Sequence, residues 1–411
     1  MNFNKTIRFA AGFSFLALLS GCGADSGASK KLMMWHVGSE EEAQIINRLA
    51  RERFTPATGI GVQCDSIAWS EAHSKFLTAM AGDVTPDIAT MGLTWGTEFG
   101  SKGQMVDLRK AFPAELEAMK ADTFPSIWAA TEYRGSVYAV PFDMTLHVLY
   151  YRTDLLPQPP KNWDELTTLL SKLNKQDKSM IIDWGSLDWI GFSPFLWQAG
   201  GDYYNDERTK SALRSPAAAK GMRFFADLYR KYQAPKSGVS IAQGLRSGQY
   251  PLGMSGNWLL NSLPVDAPEL DGKWTIALLP AGPSGKRTGF IGGRSIGIFS
   301  RSAKAEEAWK FIQFLAEVDV QKTIYEDVAK NHNIYMPPNV RTWEILPIEA
   351  GVKKVLVSQA KDAKAPPSVL GWNDSTRFVV EAIQKAIIQG LNPAKAMEES
   401  AAAMDEHIEK P

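Results

Sequence analysis

Between residues 32 and 91 the chain alternates short apolar runs with amphipathic stretches, and that alternation leaves few folds open. Leu32-Met-Met-Trp-His-Val37 reads as a strand. Ser39, with Glu42 three residues on, forms a capping box that opens a helix whose face carries Ile45, Ile46, Leu49 and Phe54. Ile60 to Ile67 is a second strand, and Ser70 is placed to cap a helix bearing Ala72, Phe76 and Met80 at four-residue spacing. Pro86 to Met91 is a third strand. Strand, helix, strand, helix, strand needs crossovers, so the sequence predicts a mainly parallel sheet flanked by helices.

A chain of 411 residues is too long for one ordinary core, and two lobes are expected. Ser136 to Asp143 and Leu146 to Tyr151 are extended runs interrupted by Pro141, which suits a chain passing from one unit to another better than a hairpin. Residues 160 to 285 again mix helical stretches, such as Ser215 to Tyr229, with short strands such as Tyr250 to Met254. Ile296 to Phe299 is a strand, and Ala308, Phe311, Ile312 and Leu315 form a helical face after Ser302. A helix from Ser375 stops at Gly390, and Asn392-Pro393 starts the last one. The expected organisation is one lobe from residues 32–142 plus 287–335 and a second from 143–286 plus 336–411.

The N-terminus carries Lys5, Arg8 and an uncharged apolar stretch from Phe9 to Leu19, of the length of a signal-peptide core and too short to span a bilayer. Its ending, Leu19-Ser-Gly-Cys22, resembles the bacterial lipobox. That resemblance implies a lipoprotein signal peptide over residues 1–21, lipidation of Cys22, and a flexible tether over 22–31, rich in Gly, Ala and Ser. It places the protein outside the cytoplasm, lipid-anchored to the bacterial cell envelope. Lys plus Arg and Asp plus Glu are each 45, so no basic surface calls for nucleic acid as a partner. Beyond Cys22 the only cysteine is Cys64, in a β-like run, where it reads as a small buried apolar residue without a disulfide partner.

Thirteen tryptophans are distributed unevenly. Trp35, Trp69 and Trp95 each fall near the carboxyl end of a predicted strand, the edge of an open α/β sheet that faces a ligand crevice. Flat apolar rings stack on the C–H faces of sugars, while hydroxyls need polar partners around the rim. Trp309 lies on an apolar helix stripe and reads as core; Trp128, Trp163, Trp274 and Trp343 read the same way. In the second unit Asp183-Trp-Gly-Ser-Leu-Asp-Trp-Ile-Gly-Phe192, Trp197 to Asp202, Met254 to Trp258, Ile291 to Ser295 and Gly371-Trp-Asn-Asp374 set aromatic rings beside glycine turns and amides.

Taken in order, the lipobox, the strand followed by Ser39-Glu-Glu-Glu42, Thr85-Pro-Asp-Ile88, Tyr138-Ala-Val-Pro-Phe-Asp143 with Leu149-Tyr-Tyr-Arg152, Trp163-Asp-Glu-Leu166, Gly200-Gly, Met254-Ser-Gly-Asn-Trp258 and Gly292-Gly resemble the extracellular solute-binding proteins of carbohydrate ABC importers, the class that includes maltose-binding protein. The resemblance runs from the signal to about residue 390. It implies a two-lobed periplasmic-binding-protein fold, closure around a sugar ligand, and delivery to the permease subunits of an ABC transporter. Carried over by position, Asp143 matches a hinge-adjacent polar contact, Trp258 a cleft tryptophan and Trp372 a late stacking aromatic. Glu40, Trp69 and Arg294 follow with a less tightly fixed register. With Trp35, His36, Trp95, Trp197, Asn257 and Asn373 they complete the candidate ligand-binding set.

A monomer without cofactor, metal site or catalytic residues is expected. The five histidines have no metal spacing and no Gly-x-Ser-x-Gly elbow occurs. The rival readings are a binder of another polar solute, a phosphoester or polyamine, and an exported glycosidase, whose carboxylate pair is defined by spatial separation that a sequence does not give. Arg294 points towards an anionic group, the aromatic wealth towards sugar.

Overall fold

The computed structural model describes residues 31–237 and 239–408. The expected signal peptide, Cys22 and the tether up to residue 30 lie outside the described residues.

Two large sheets dominate. The first runs Val62–Ile67, Leu32–Val37, Ile88–Gly92, Arg294–Ile298, Val140–Pro141. Its first three strands are parallel, with Leu32 opposite Val62 and Val37 opposite Ile67. The crossover helix Glu40–Leu49 starts at the Ser39–Glu42 capping box and buries Ala43, Ile45, Ile46 and Leu49. Each of Ile45, Ile46 and Leu49 withdrawn from water contributes about 1.5–3 kcal/mol before entropy is counted. The next crossover helix, Trp69–Ala81, begins at Ala68 rather than at Ser70, and buries Ala79 with Ala72 and Phe76. Cys64 is buried beneath this sheet's helices, a free thiol.

The second sheet centres on Thr145–Arg152, which pairs antiparallel with Leu252–Gly256, Gly289–Gly292 and Trp274–Ala277. Met180–Ile182 and Ala363–Lys364 add parallel edges. One strand runs against the others in each sheet: in the first it is Arg294–Ile298, from the returning chain, and in the second it is Thr145–Arg152, from the first passage. The C-terminal helices Trp372–Ile387 and Pro393–His407 pack on Pro216–Arg230 through Val379, Ile383, Met397, Met222 and Phe225. The penultimate helix begins a turn before Ser375, where Gly371, at φ 76°, ends the preceding loop.

The chain leaves the first sheet at Pro141, enters the second at Thr145, and returns between Gly292 and Arg294. Gly293 makes that return at φ 137°, and a Cβ there would sit 2.4 Å from the Asp143 carbonyl oxygen, so the two crossings touch where no side chain fits. A third passage follows. The Met336 carbonyl accepts from the Met144 amide at 2.9 Å and the Asn333 carbonyl from Asn261 at 2.8 Å, after which Pro338 and Val340 bond Phe124 and Asp122 of the first lobe. Gly289–Gly292 thus belongs to the second sheet and residues 338–342 pack on the first lobe, so the crossings fall at Gly293 and beyond residue 342, not at 286/287 and 335/336.

Candidate ligand-binding cleft

Between the lobes lies a cleft of about 610 Å³. Its walls are aromatic because both lobes end a cleft-side strand in glycine and follow it with tryptophan. In the first lobe the Trp95 ring folds back to 2.7 Å from where a Gly92 Cβ would stand; in the second the Trp258 ring comes to 1.8 Å from the same point on Gly256. Any larger residue at either glycine would push the ring out. Trp69 leans on Trp95 edge to face with centroids 6.0 Å apart. Opposite them Trp184 meets Trp258 at 4.7 Å and Phe290 at 5.1 Å, while Trp189 meets Phe290 at 5.5 Å and Trp372 at 5.1 Å, all edge to face. Edge-to-face contacts hold each ring at a fixed tilt, so the walls are preorganised. Behind Trp184 the buried His147 donates from Nε2 to the Trp184 carbonyl at 3.2 Å and packs its ring 4.5 Å away.

The floor is polar and closed upon itself. Arg294, 5 % exposed, donates from Nε to Asp143 Oδ2 at 2.7 Å and from Nη2 to the same oxygen. Nη2 also reaches Glu42 Oε1 at 2.8 Å, and Nη1 reaches Glu42 Oε2 at 3.2 Å, the Val37 carbonyl at 2.8 Å and His36 Nε2 at 2.9 Å. Every N–H of the guanidinium has a protein acceptor. His36 Nε2 must accept, so its proton sits on Nδ1 and is donated to Thr90 Oγ1 at 3.1 Å, which also receives the Val37 amide. Burial first, then the Arg294 charge, lowers the His36 pKa and keeps the ring neutral. Burial would raise the Glu42 carboxyl, but Arg294 overrides it and holds Glu42 well below the usual carboxylate range. Glu42 thus has two duties: its Oε2 takes the Ser39 amide at 2.9 Å in the capping box and the guanidinium from across the sheet. A Cβ on Gly38 would stand 2.4–2.6 Å from Glu42, Arg294 and His36 together, so the network requires glycine there.

Of the sequence-predicted set, the structure brings Trp69, Trp95, Asp143, Trp258, Arg294, Trp372 and Asn373 to the cleft. His36 lies under the floor, behind Arg294. Four others are elsewhere. Trp35 is not the last residue of its strand, which continues to Val37; strand alternation turns it to the opposite face, against Phe76 at 5.8 Å and under Lys75. Glu40 is exposed on the first turn of its helix and contacts Gln44, while Glu42, two residues on, takes the cleft position. Trp197 is 5 % exposed inside its helix, with its N–H on Asp202 and Lys364 over its ring. Asn257 is buried, its Oδ1 accepting the Leu146 amide at 3.0 Å, and it fastens one strand end to another. The sequence reasoning left out Glu42, Trp184, Trp189 and Phe290, although the run from Asp183 to Phe192 carried two of them in view.

Two hydrogen bonds reach across the cleft mouth. Thr97 Oγ1 pairs with Ser368 Oγ at 3.0 Å, and Asn373 Nδ2 donates to Glu98 Oε2 at 2.7 Å. His73 Nε2 meets the same Glu98 oxygen at 3.1 Å. Among the described residues no helix is long and apolar enough to cross a membrane.

The fold has many solved counterparts. The sugar-binding protein MalE of Xanthomonas citri superposes with a TM-score of 0.81 at 25 % identity, covering 92 % of this chain and 96 % of that one. In sequence, a putative binding protein of Brucella abortus (strain 2308) is 22 % identical over 423 residues, 97 % of each chain. The maltotriose-binding protein of Pyrococcus abyssi is 23 % identical over 305 residues, 73 % of this chain and 66 % of its own. The model of the family described as bacterial extracellular solute-binding protein matches residues 38–322, which span the aromatic walls up to Phe290, the whole Glu42–Arg294–Asp143 floor and the first two crossings. With more than half of the chain matched and the two-lobed architecture in place, the protein is a member of the bacterial extracellular solute-binding protein family.

Proposed function

We propose that the protein captures a sugar, an oligosaccharide, between its lobes and hands it to the membrane subunits of an ABC transporter, remaining tethered to the cell envelope through lipid on Cys22. The observation that carries this reading is the meeting of tryptophans from both lobes over one polar floor. Trp69 and Trp95 face Trp184, Trp189 and Trp258 across a single space, backed by the buried Trp372, an arrangement that offers stacking surface to both faces of a pyranose chain. The relatives whose names mention maltotriose or sugar support the same ligand class. Binding without turnover is part of the proposal, as are the monomeric state and the lobe division at the three crossings.

Thermal-shift screening of mono- and oligosaccharides, followed by calorimetry, tests it, since a ligand at a hundredfold excess over its Kd adds about 2.7 kcal/mol to the native state. The sugar should be recovered chemically unchanged. A panel in which no sugar stabilises the protein, or in which a sugar returns hydrolysed, removes the reading. Mass spectrometry of the native membrane fraction tests the anchor: an unmodified Cys22 would remove it.

The phosphoester alternative loses its support at Arg294, whose donors are all engaged by the protein.

A further inference from the structure

We infer that the cleft refuses anionic solutes and takes uncharged or cationic ones, because its one lining cation, Arg294, is spent on protein acceptors and the floor offers only spare acceptors to a ligand. The inference rests on the sugar-capture reading and narrows its ligand class.

Among the described residues three charged side chains line the cleft: Glu42, Asp143 and Arg294. With His36 held as the neutral tautomer behind them, the floor carries one net negative charge. Asp143 accepts the Arg294 amide on Oδ1 and two guanidinium N–H groups on Oδ2; Glu42 accepts Nη2 on Oε1 and, on Oε2, Nη1 and the Ser39 amide. A carboxylate has about four lone-pair sites, so each retains room for one further donor. A ligand hydroxyl or ammonium meets that requirement. A carboxylate, phosphate or sulfate does not, and it would be stripped of water between apolar rings beside a floor of its own sign.

Arg294 is not free to turn towards a ligand. Its acceptors come from three separate pieces of chain, the helix start at Glu42, the strand end at Val37 and the crossing at Asp143. Rotation would leave two buried carboxylates without their counter-charge.

The test is calorimetry on the intact chain with three sets of probes: neutral maltose, maltotriose and maltotetraose; anionic glucuronate, trigalacturonate and glucose 6-phosphate; cationic glucosamine and spermidine. The tightest anionic probe is expected to bind at least about tenfold more weakly than the tightest neutral or cationic one. An anionic probe within that margin, or tighter, overturns the inference. Binding of cationic probes alone would remove the sugar reading and leave the inference standing.

A second measurement decides even if none of these probes binds. The fluorescence lost on Trp258→Phe reports the cleft, and its ratio of caesium to iodide quenching should exceed the ratio measured for free N-acetyltryptophanamide under the same conditions. A ratio equal to or below that of the free reference would mean that the cleft does not repel anions.

Discussion

Arg294 binds Asp143 through both its main chain and its side chain: the amide lies 2.7 Å from Oδ1 and Nε 2.7 Å from Oδ2. Asp143 sits in the chain's first passage between sheets and Arg294 directly follows the second. One carboxylate therefore stitches two crossings together while also forming part of the cleft floor. Stability and ligand contact are joined at this residue.

Asp143→Ala should accordingly unfold early. It leaves the guanidinium buried with Glu42 as its one carboxylate, and breaking a buried pair from one side costs roughly 3–5 kcal/mol. Asp143→Asn keeps an acceptor for the Arg294 amide and should lose less. Urea unfolding of the two variants measures this. A wild-type midpoint for Asp143→Ala would show that the Asp143–Arg294 pair does not hold the fold together.

The tryptophans should divide by burial. Trp69 is 50 % exposed, so Trp69→Ala should melt within about 0.5 kcal/mol of the native protein and lose its effect only in binding, by ~2 kcal/mol where it stacks on ligand. Trp372 is 2 % exposed and wedged against Tyr203, Tyr204 and Trp189. Trp372→Ala should cost roughly 3–5 kcal/mol of stability as a cavity, whatever it does to binding. Paired denaturation and calorimetry separate the two; a Trp69 variant that melts early while Trp372 does not would reverse the assignment.

Gly38→Ala probes the floor without removing any polar group. The added methyl would overlap Glu42 Oε2, Arg294 Nη1 and His36 Nε2 at once, and overpacking of this kind costs ~1–3 kcal/mol. Because two of those atoms face the cleft, both melting temperature and ligand affinity should fall. A neutral result would show that the network relaxes easily.

The order of elements could be read from periodicity because each relies on neighbours along the chain. The Ser39–Glu42 capping box is of that kind, and it is present with both of its bonds. Glu42's second partner is Arg294, 252 positions away, and no local pattern reports such a distance. Placing side chains on faces failed even where the strand bounds, Leu32–Val37, were right: alternation sends Trp35 to the face opposite His36, towards Phe76 and away from the cleft. Trp197 and Asn257 sit among glycines and amides just as Trp184 and Trp258 do, and only the three-dimensional packing distinguishes the buried fasteners from the cleft walls.

Acid should destabilise the protein before its carboxylates titrate. Burial pushes the His147 imidazole down from 6.5 to about 3, with the Trp184 carbonyl bond opposing weakly. Between those values the unfolded chain binds a proton that the folded one refuses, so the stability is whole above pH 6.5 and is lost as pH falls towards 3. By pH 5 the loss is about 2 kcal/mol from this residue. His36 acts in the same direction, and Glu42 adds to it as pH drops below its unfolded value. His147→Gln should shrink the difference in unfolding free energy between pH 7 and pH 5. An unaltered difference would show that His147 does not govern this pH range.

The bonds across the cleft mouth lead to a prediction about motion. Thr97–Ser368 and Asn373–Glu98 connect the first lobe's Trp95–Ser101 helix to the segment that enters the second lobe's Trp372–Ile387 helix. Neither contact is needed inside a lobe, so both count towards the closed arrangement and not towards folding. Each net hydrogen bond is worth about 0.5–1.5 kcal/mol. Thr97→Ala with Asn373→Ala should therefore shift the ligand-free population towards open lobes by roughly tenfold or more, since 1.4 kcal/mol is one decade. Small-angle scattering should record a larger radius of gyration for the unliganded double variant than for the wild type, converging at saturating ligand, while the unfolding midpoint stays within about 0.5 kcal/mol of native. Equal radii without ligand would mean that these two bonds do not set the lobe spacing.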